Sequence, residues 1–258
     1  MRIVSLCPSL TELVFDLGRG ADLVGRTRFC IHPAGLVDVV EKVGGTKNPK
    51  VARIVELAPD LVLLNEEENR REDADALAAA GLRCHTSLPK TALDTAAMVR
   101  SIGAAVEREA EAERIATDIE RRSERVRAAA HGRPEVSWAY LIWREPWMVV
   151  NGDTFVDALL TDAGGRNVFA RRPERYPTIT PGELGRADPR MVLLSSEPFP
   201  FAEKHAAELA GLAGLPPERF HLVDGELLSW HGSRTPRGID YAEQVIARGR
   251  SGLSAVTG

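Results

Sequence analysis

TALDTAAMVRSIGAAVEREAEAERIATDIERRSERVRAAAH, residues 91–131, is the stretch whose reading decides the fold. It contains no proline and one glycine, Gly103, and is dominated by Ala, Glu and Arg, all strong helix formers. Thr91 with Asp94 reads as a capping box at its start; Gly132 and Pro134 read as stop signals at its end. One uninterrupted helix of this length would measure about 60 Å, longer than a globular domain ordinarily uses. Its apolar positions (Leu93, Ala97, Ile102, Val106, Ile115, Ile119, Val126) form a stripe without a sustained heptad seam. Two readings follow: a coiled coil or pair of helices broken near Gly103, or one helix packed along both halves of a bilobed protein.

The flanking sequence favours the bilobed reading. On the N-terminal side, Ile3 to Leu6, Leu23 to Gly25, Leu61 to Leu64 and Arg83 to Thr86 read as short strands. Helical patterns alternate with them: a helix N-capped by Ser9 with Glu12 in capping-box spacing, then Val51 to Leu57, then Asp73 to Ala80. Leu61-Val62-Leu63-Leu64 is a continuous apolar run, as expected of a strand buried on both faces of a parallel sheet. On the C-terminal side, Trp138 to Trp143 and Trp147 to Val150 read as strands and Phe155 to Ala163 as a helix. Ala58-Pro59-Asp60-Leu61-Val62-Leu63-Leu64 is then echoed by Asp188-Pro189-Arg190-Met191-Val192-Leu193-Leu194, at an offset of 130. The expected fold class is α/β: two similar lobes with mainly parallel sheets, residues 1–90 and 133–258, joined by one backbone helix, 91–132.

Composition narrows the function. The 258 residues carry 33 Lys+Arg against 37 Asp+Glu, a formal charge of −4, which lacks the basic surplus of a general nucleic-acid binder. No apolar run approaches the roughly 20 residues that span a bilayer. Cys7, Cys30 and Cys84 are too scattered for a disulfide framework. Met1-Arg2 leads directly into the first strand with no signal-peptide pattern, so the sequence reads as cytoplasmic, with an extracytoplasmic home as the alternative. There is no P-loop, complete dinucleotide fingerprint, HExxH or GxSxG. A non-enzyme is expected.

These features together resemble a known family, the periplasmic substrate-binding proteins of ABC importers for cobalamin, haem and iron-siderophores, or helical backbone metal receptors. The resemblance is carried by Arg2-Ile3-Val4-Ser5-Leu6-Cys7-Pro8-Ser9-Leu10-Thr11-Glu12-Leu13, by Val43-Gly44-Gly45, and by Ile54 through Val62. Gly164-Gly165-Arg166-Asn167-Val168-Phe169 and Tyr176-Pro177 through Leu184 extend it into the second half. The pattern is most similar to the cobalamin-binding branch. What the resemblance implies is a non-catalytic, monomeric receptor that holds a metal chelate in a cleft between its lobes and passes it to an ABC permease. The ligand would be a corrinoid, a haem, an iron-siderophore or a bound metal ion, with no covalent cofactor. A cytosolic enzyme or metallochaperone acting on a metal-tetrapyrrole is the second reading.

Candidate site residues lie in loops after strands, where α/β lobes place their ligand contacts. His32 falls where the cobalamin-binding relatives carry an aromatic facing the ligand, and an imidazole there suits axial coordination. Cys30, two residues away, is a candidate soft-metal partner. In Trp143-Arg144-Glu145-Pro146-Trp147, Trp143 reads as a stacking platform and Glu145 as part of a polar clamp. Trp230, His231 and Arg234 form a third group, with His231 a second candidate metal ligand and Arg234 a partner for a ligand carboxylate or phosphate. Tyr176 lies within a family motif. Thr46 and Asn65 stand where the cobalamin-binding relatives have aromatics, which implies a more polar or smaller ligand. The resemblance also implies docking on the permease through acidic residues, here Glu68 and Glu72 on the first lobe and Glu197 and Glu203 on the second.

Overall fold

The structure, a computed structural model, describes residues 1–251. Its contacts divide the chain into two compact units. Unit 1 comprises residues 1–89, 93–119 and 231–234; unit 2 comprises 90–92, 120–230 and the chain from Thr235 on.

Unit 1 is built from β1 (Ile3–Ser5), α1 (Pro8–Asp16), β2 (Leu23–Arg26), α2 (Val51–Glu56), β3 (Leu61–Asn65), α3 (Arg71–Ala79) and β4 (Cys84–Ser87). The strands form a parallel sheet in the order β2-β1-β3-β4. All residues of β1 and β3 are buried, as continuous apolar runs in a two-sided parallel sheet should be. One face packs Val4, Leu6, Val62 and Leu64 against Ile54 and Leu77 of α2 and α3.

The expected backbone helix is two helices, α4 (Ala92–Ala105) and α5 (Glu109–Ala130). The break falls at Val106-Glu107-Arg108, with Glu107 left-handed at φ 55°, and not at Gly103. Nothing local marks it, because no proline or glycine lies there. A tertiary contact stabilises the turn: Arg19 Nε donates to the Val106 carbonyl at 2.7 Å and Nη2 to Glu107 at 3.2 Å. Gly103 has a different task. A Cβ at that position would lie 2.2 Å from the Ala112 Cβ, so glycine permits the close approach of α4 to the start of α5. The contact division then splits α5, giving Glu109–Ile119 to unit 1 and Glu120–Ala130 to unit 2.

Unit 2 adds β5 (Val136–Trp143), β6 (Met148–Val149), α6 (Phe155–Asp162), β7 (Gly165–Asn167), α7 (Pro181–Ala187), β8 (Met191–Ser195), α8 (Glu203–Ala213), β9 (Phe220–Val223), α9 (Gly225–Ser229) and α10 (Thr235–Ser251). Its sheet runs β6-β5-β8-β9, with β7 also paired to β5. Among the described residues, β6 alone of these strands is antiparallel. Ala139, Leu141, Val192 and Leu194 pack against Leu184, Leu209 and Phe201 in its main core.

The sequence echo is structural. β3 and β8 start and end 130 residues apart, each fully buried and each central in its sheet. The residues before the echoed prolines, Ala58 and Asp188, are both left-handed, at φ 44° and 45°, so each half turns from helix into strand in the same way. One local expectation fails. α1 begins at Pro8, with Cys7 as its N-cap, because proline is pre-organised for the first helical position. The Ser9 hydroxyl is thereby released for other contacts.

Candidate functional site

In unit 1 the carboxyl ends of β1, β3 and β4 meet in a buried polar cluster. Asn65, the last residue of β3, organises the turn that follows. Its Oδ1 accepts the backbone N–H groups of Glu67 (3.0 Å) and Glu68 (3.1 Å), and its Nδ2 donates to the Ser87 carbonyl (3.0 Å). Asn69 completes the scaffold: its Oδ1 accepts the Asn65 N–H, and its Nδ2 donates to the carbonyls of Leu6 and Thr46. Into this cluster comes His231. Its Nε2 lies 3.2 Å from Asn65 Nδ2 and 3.4 Å from Ser9 Oγ. The ring is only 8% exposed, and desolvation holds its pKa down to about 4. With an amide N–H pointing at Nε2, the imidazole is a neutral acceptor.

Several expectations are corrected by this geometry. His231 Nε2 is engaged by the protein and is not presented to a metal. Asn65 and Thr46 are buried and serve the loop scaffold, so their departure from the aromatic pattern carries no information on ligand polarity. Cys30 is fully buried, with Sγ 2.9 Å from Thr11 Oγ1 and 3.1 Å from Thr27 Oγ1, and burial pushes its pKa up. It is therefore a packed thiol, without the thiolate character a metal ligand needs. Arg234 is largely buried and bidentate with Glu12 through Nε and Nη2 (2.8 and 2.7 Å), so its Nε edge is committed within the protein. A bare metal ion finds no cage, since among the described residues no three His, Cys, Asp or Glu come together to hold one.

What unit 1 does present is the loop after β2. Phe29 is 48% and Ile31 53% exposed, with the Arg28 guanidinium 4.8 Å above the Phe29 ring. His32 sits half-buried beside them. The sequence reading singled out His32 in this loop and passed over its two apolar neighbours. Glu68 is half-buried, its N–H held by Asn65; Glu72 is exposed in the first turn of α3.

Unit 2 offers an aromatic ledge at the end of β5. Trp143 is 40% exposed and meets Phe199 edge-on, with ring centroids 5.8 Å apart at 71°. Phe199 packs on Phe201 at 4.8 Å, and Phe201 stacks on Trp147 at 6.1 Å and 9°. Arg144 is fixed beneath, bidentate to Glu208 and 2.6 Å from the Glu145 carboxylate. Glu145 itself is exposed and left-handed, φ 63°. The ledge is thus a row of mutually buttressed rings ending in one open indole. Tyr176 is half-buried.

Trp230 and Glu197 depart from expectation together. The Trp230 indole is buried, and its N–H donates to Glu197 Oε1 at 2.7 Å, where the Ser229 hydroxyl also donates at 2.8 Å. Trp230 therefore offers no open stacking face, and Glu197 has internal work. Beside it an open recess of about 520 Å³ is lined by Ser196, Glu197, Leu222, Val223, Asp224 and Glu226. Tyr140 donates to Ser195 Oγ at 2.9 Å behind this edge, and burial pushes the phenol pKa up. Glu203 is exposed in the first turn of α8, the same place Glu72 holds on α3.

Comparison with known proteins places this arrangement. The family described as periplasmic binding protein matches residues 3–213. A vitamin B12-binding protein of Vibrio campbellii is 24% identical over 211 residues, covering 82% of this chain and 74% of its own. One from Vibrio parahaemolyticus is 23% identical over 249 residues, covering 95% and 87%. Among solved structures, the periplasmic vitamin B12-binding protein of Vibrio cholerae superposes with a TM-score of 0.85 at 19% identity, covering 96% and 97% of the two chains. A periplasmic haem-binding protein of Pseudomonas aeruginosa gives 0.80 at 25% identity, covering 95% and 92%. The expectation of a cytoplasmic home is overturned by these matches, because the family and the relatives are periplasmic binding proteins.

Proposed function

The chain belongs to the periplasmic binding protein family, and from that premise we propose that it captures a flat metal chelate of the corrinoid or haem class. It is a non-catalytic substrate-binding protein of an ABC-type import system, in a family of binding proteins rather than enzymes. The observation that carries the ligand class is the half-exposed Trp143 held edge-on by Phe199. A rigid, exposed indole costs little ordering entropy when a flat ring stacks on it, and each such contact contributes about 0.5–1.5 kcal/mol beyond burial. In unit 1, Phe29 and Ile31 supply apolar contact of the same kind, with His32 beside them as the axial donor to the chelated metal. A ligand that brings its metal in a macrocycle needs one axial donor and not a cage, which suits a chain without a clustered metal site among its described residues. The named ligands of the relatives, vitamin B12 and haem, belong to that chemistry.

Delivery would run through exposed carboxylates in the first turns of equivalent helices, Glu72 on α3 and Glu203 on α8, reading basic residues on a permease. The ligand reading is tested by titrating the protein and its Trp143→Ala and His32→Ala variants with haemin and with cyanocobalamin. Trp143→Ala weakens binding about tenfold in a protein that stays folded, with only a modest drop in melting temperature from the lost Phe199 edge contact. His32→Ala does the same and also shifts the absorption bands of the bound chelate. Unchanged affinity and spectra in both variants would remove these residues from the site.

A further inference from the structure

We infer that Arg26 is the positioning residue of the ligand loop of unit 1, a buried guanidinium around which residues 27–42 are wrapped. This rests on the reading of that loop as ligand-contacting. Arg26 ends β2, and its side chain is only 2% exposed. Its Nε donates to the Val37 carbonyl at 3.0 Å, and its Nη1 reaches the Cys30 carbonyl at 2.9 Å and the Thr27 carbonyl at 3.4 Å. Nη2 makes no hydrogen bond and lies 3.7 Å from Asp38 Oδ1. The backbone of the same residue closes the loop, with Arg26 N–H donating to the Glu41 carbonyl and Val43 N–H to the Arg26 carbonyl, both at 2.8 Å.

The loop carries little regular structure of its own. Its regular structure is a single 3-10 turn, Val37–Val39. Phe29, Ile31, Leu36 and Val39 are exposed, while Cys30, Val37 and Val40 are buried and anchor the loop at separate points. Those anchors are tied together through the backbone: the planar fork of one arginine gathers the carbonyls of Thr27, Cys30 and Val37. A lysine cannot do this, because its ammonium is a point charge without the rigid fork. The arrangement lets the loop present apolar side chains to a ligand without collapsing onto them. Affinity therefore depends on the fraction of molecules holding the loop in its competent shape.

The test uses the whole chain with Arg26→Lys, and Arg26→Met as a second variant should either fail to fold. Hydrogen exchange of the 27–42 amides is measured without ligand, and association and dissociation rates are measured with haemin and cyanocobalamin. Arg26 as a positioning residue predicts at least tenfold faster exchange in the loop alone. It also predicts an association rate reduced about tenfold with little change in dissociation, since a competent fraction near one tenth lowers apparent affinity tenfold. A residue touching ligand would raise the dissociation rate instead, and that result overturns the assignment. Unchanged loop exchange overturns it even if binding is altered. Faster loop exchange in the variant, with no chelate bound by the unsubstituted protein, overturns the ligand reading while the ordering role of Arg26 stands.

Discussion

His231 makes an acid-sensitive contribution to stability that can be isolated. The ring is desolvated in unit 1, its Nε2 faces the Asn65 amide N–H and Ser9, and its pKa falls from 6.5 to about 4. In the unfolded chain the imidazole takes up a proton near its ordinary value. Between pH 6.5 and about 4 the unfolded state therefore binds more protons than the folded state, and stability rises with pH across that window. The contribution is complete above pH 6.5 and lost as pH falls through about 4. The gap corresponds to about 3 kcal/mol, of which about 2 kcal/mol has gone by pH 5. Asp16, Asp157 and Asp162 have raised pKa values, chiefly from burial, and act in the opposite direction. The assay must therefore be differential: urea unfolding of the protein and of His231→Gln from pH 7 to pH 4.5. The difference in unfolding free energy should shift by about 2 kcal/mol toward the variant between pH 7 and pH 5. Parallel pH profiles for the two proteins would show that His231 titrates normally and that its burial against Asn65 is wrong.

Three further outcomes follow from packing. Glu197→Ala leaves the Trp230 indole N–H and the Ser229 hydroxyl without their acceptor and costs about 3 kcal/mol in denaturant unfolding, with Glu197→Gln costing about half; a loss below 0.5 kcal/mol would return Glu197 to a surface role. Ala58→Gly relieves a left-handed alanine and stabilises by about 1 kcal/mol; destabilisation would contradict that backbone conformation. Gly103→Ala drives a methyl into Ala112 and lowers the melting temperature through overpacking of about 1–3 kcal/mol; a neutral result would mean that α4 and α5 do not approach at that point.

The fold was legible wherever the information was local or repeated. The apolar run at Leu61 gives a strand by composition alone, and its echo at Met191 is a second copy of the same strand in the same sheet position. The helix break was not legible, because Glu107 is turned by Arg19, a residue distant in sequence. For the candidate residues, sequence indicated their loops but not their burial. The exposure of Trp143 could be read from its place at a strand end. Trp230 and His231 have the same look in sequence, yet both are buried by partners far away in the chain, Glu197 and Asn65. Arg26 could not be found from sequence, since a buried arginine is recognised by its carbonyl partners, which no motif encodes. The cytoplasmic expectation came from reading an absence at the N-terminus, and absences of that kind carry no physical constraint on compartment.

The central claim is that this chain holds an intact metal chelate and does not transform it. Calorimetric titration of the unsubstituted protein with haemin, cyanocobalamin and a ferric siderophore, followed by recovery and chromatography of the bound ligand, tests both halves at once. A chelate receptor binds one chelate per chain with a Kd of about 1 µM or tighter, near −8 kcal/mol, and releases it unchanged. No binding of any of the three at 100 µM to the folded protein, or recovery of a modified chelate, would contradict it.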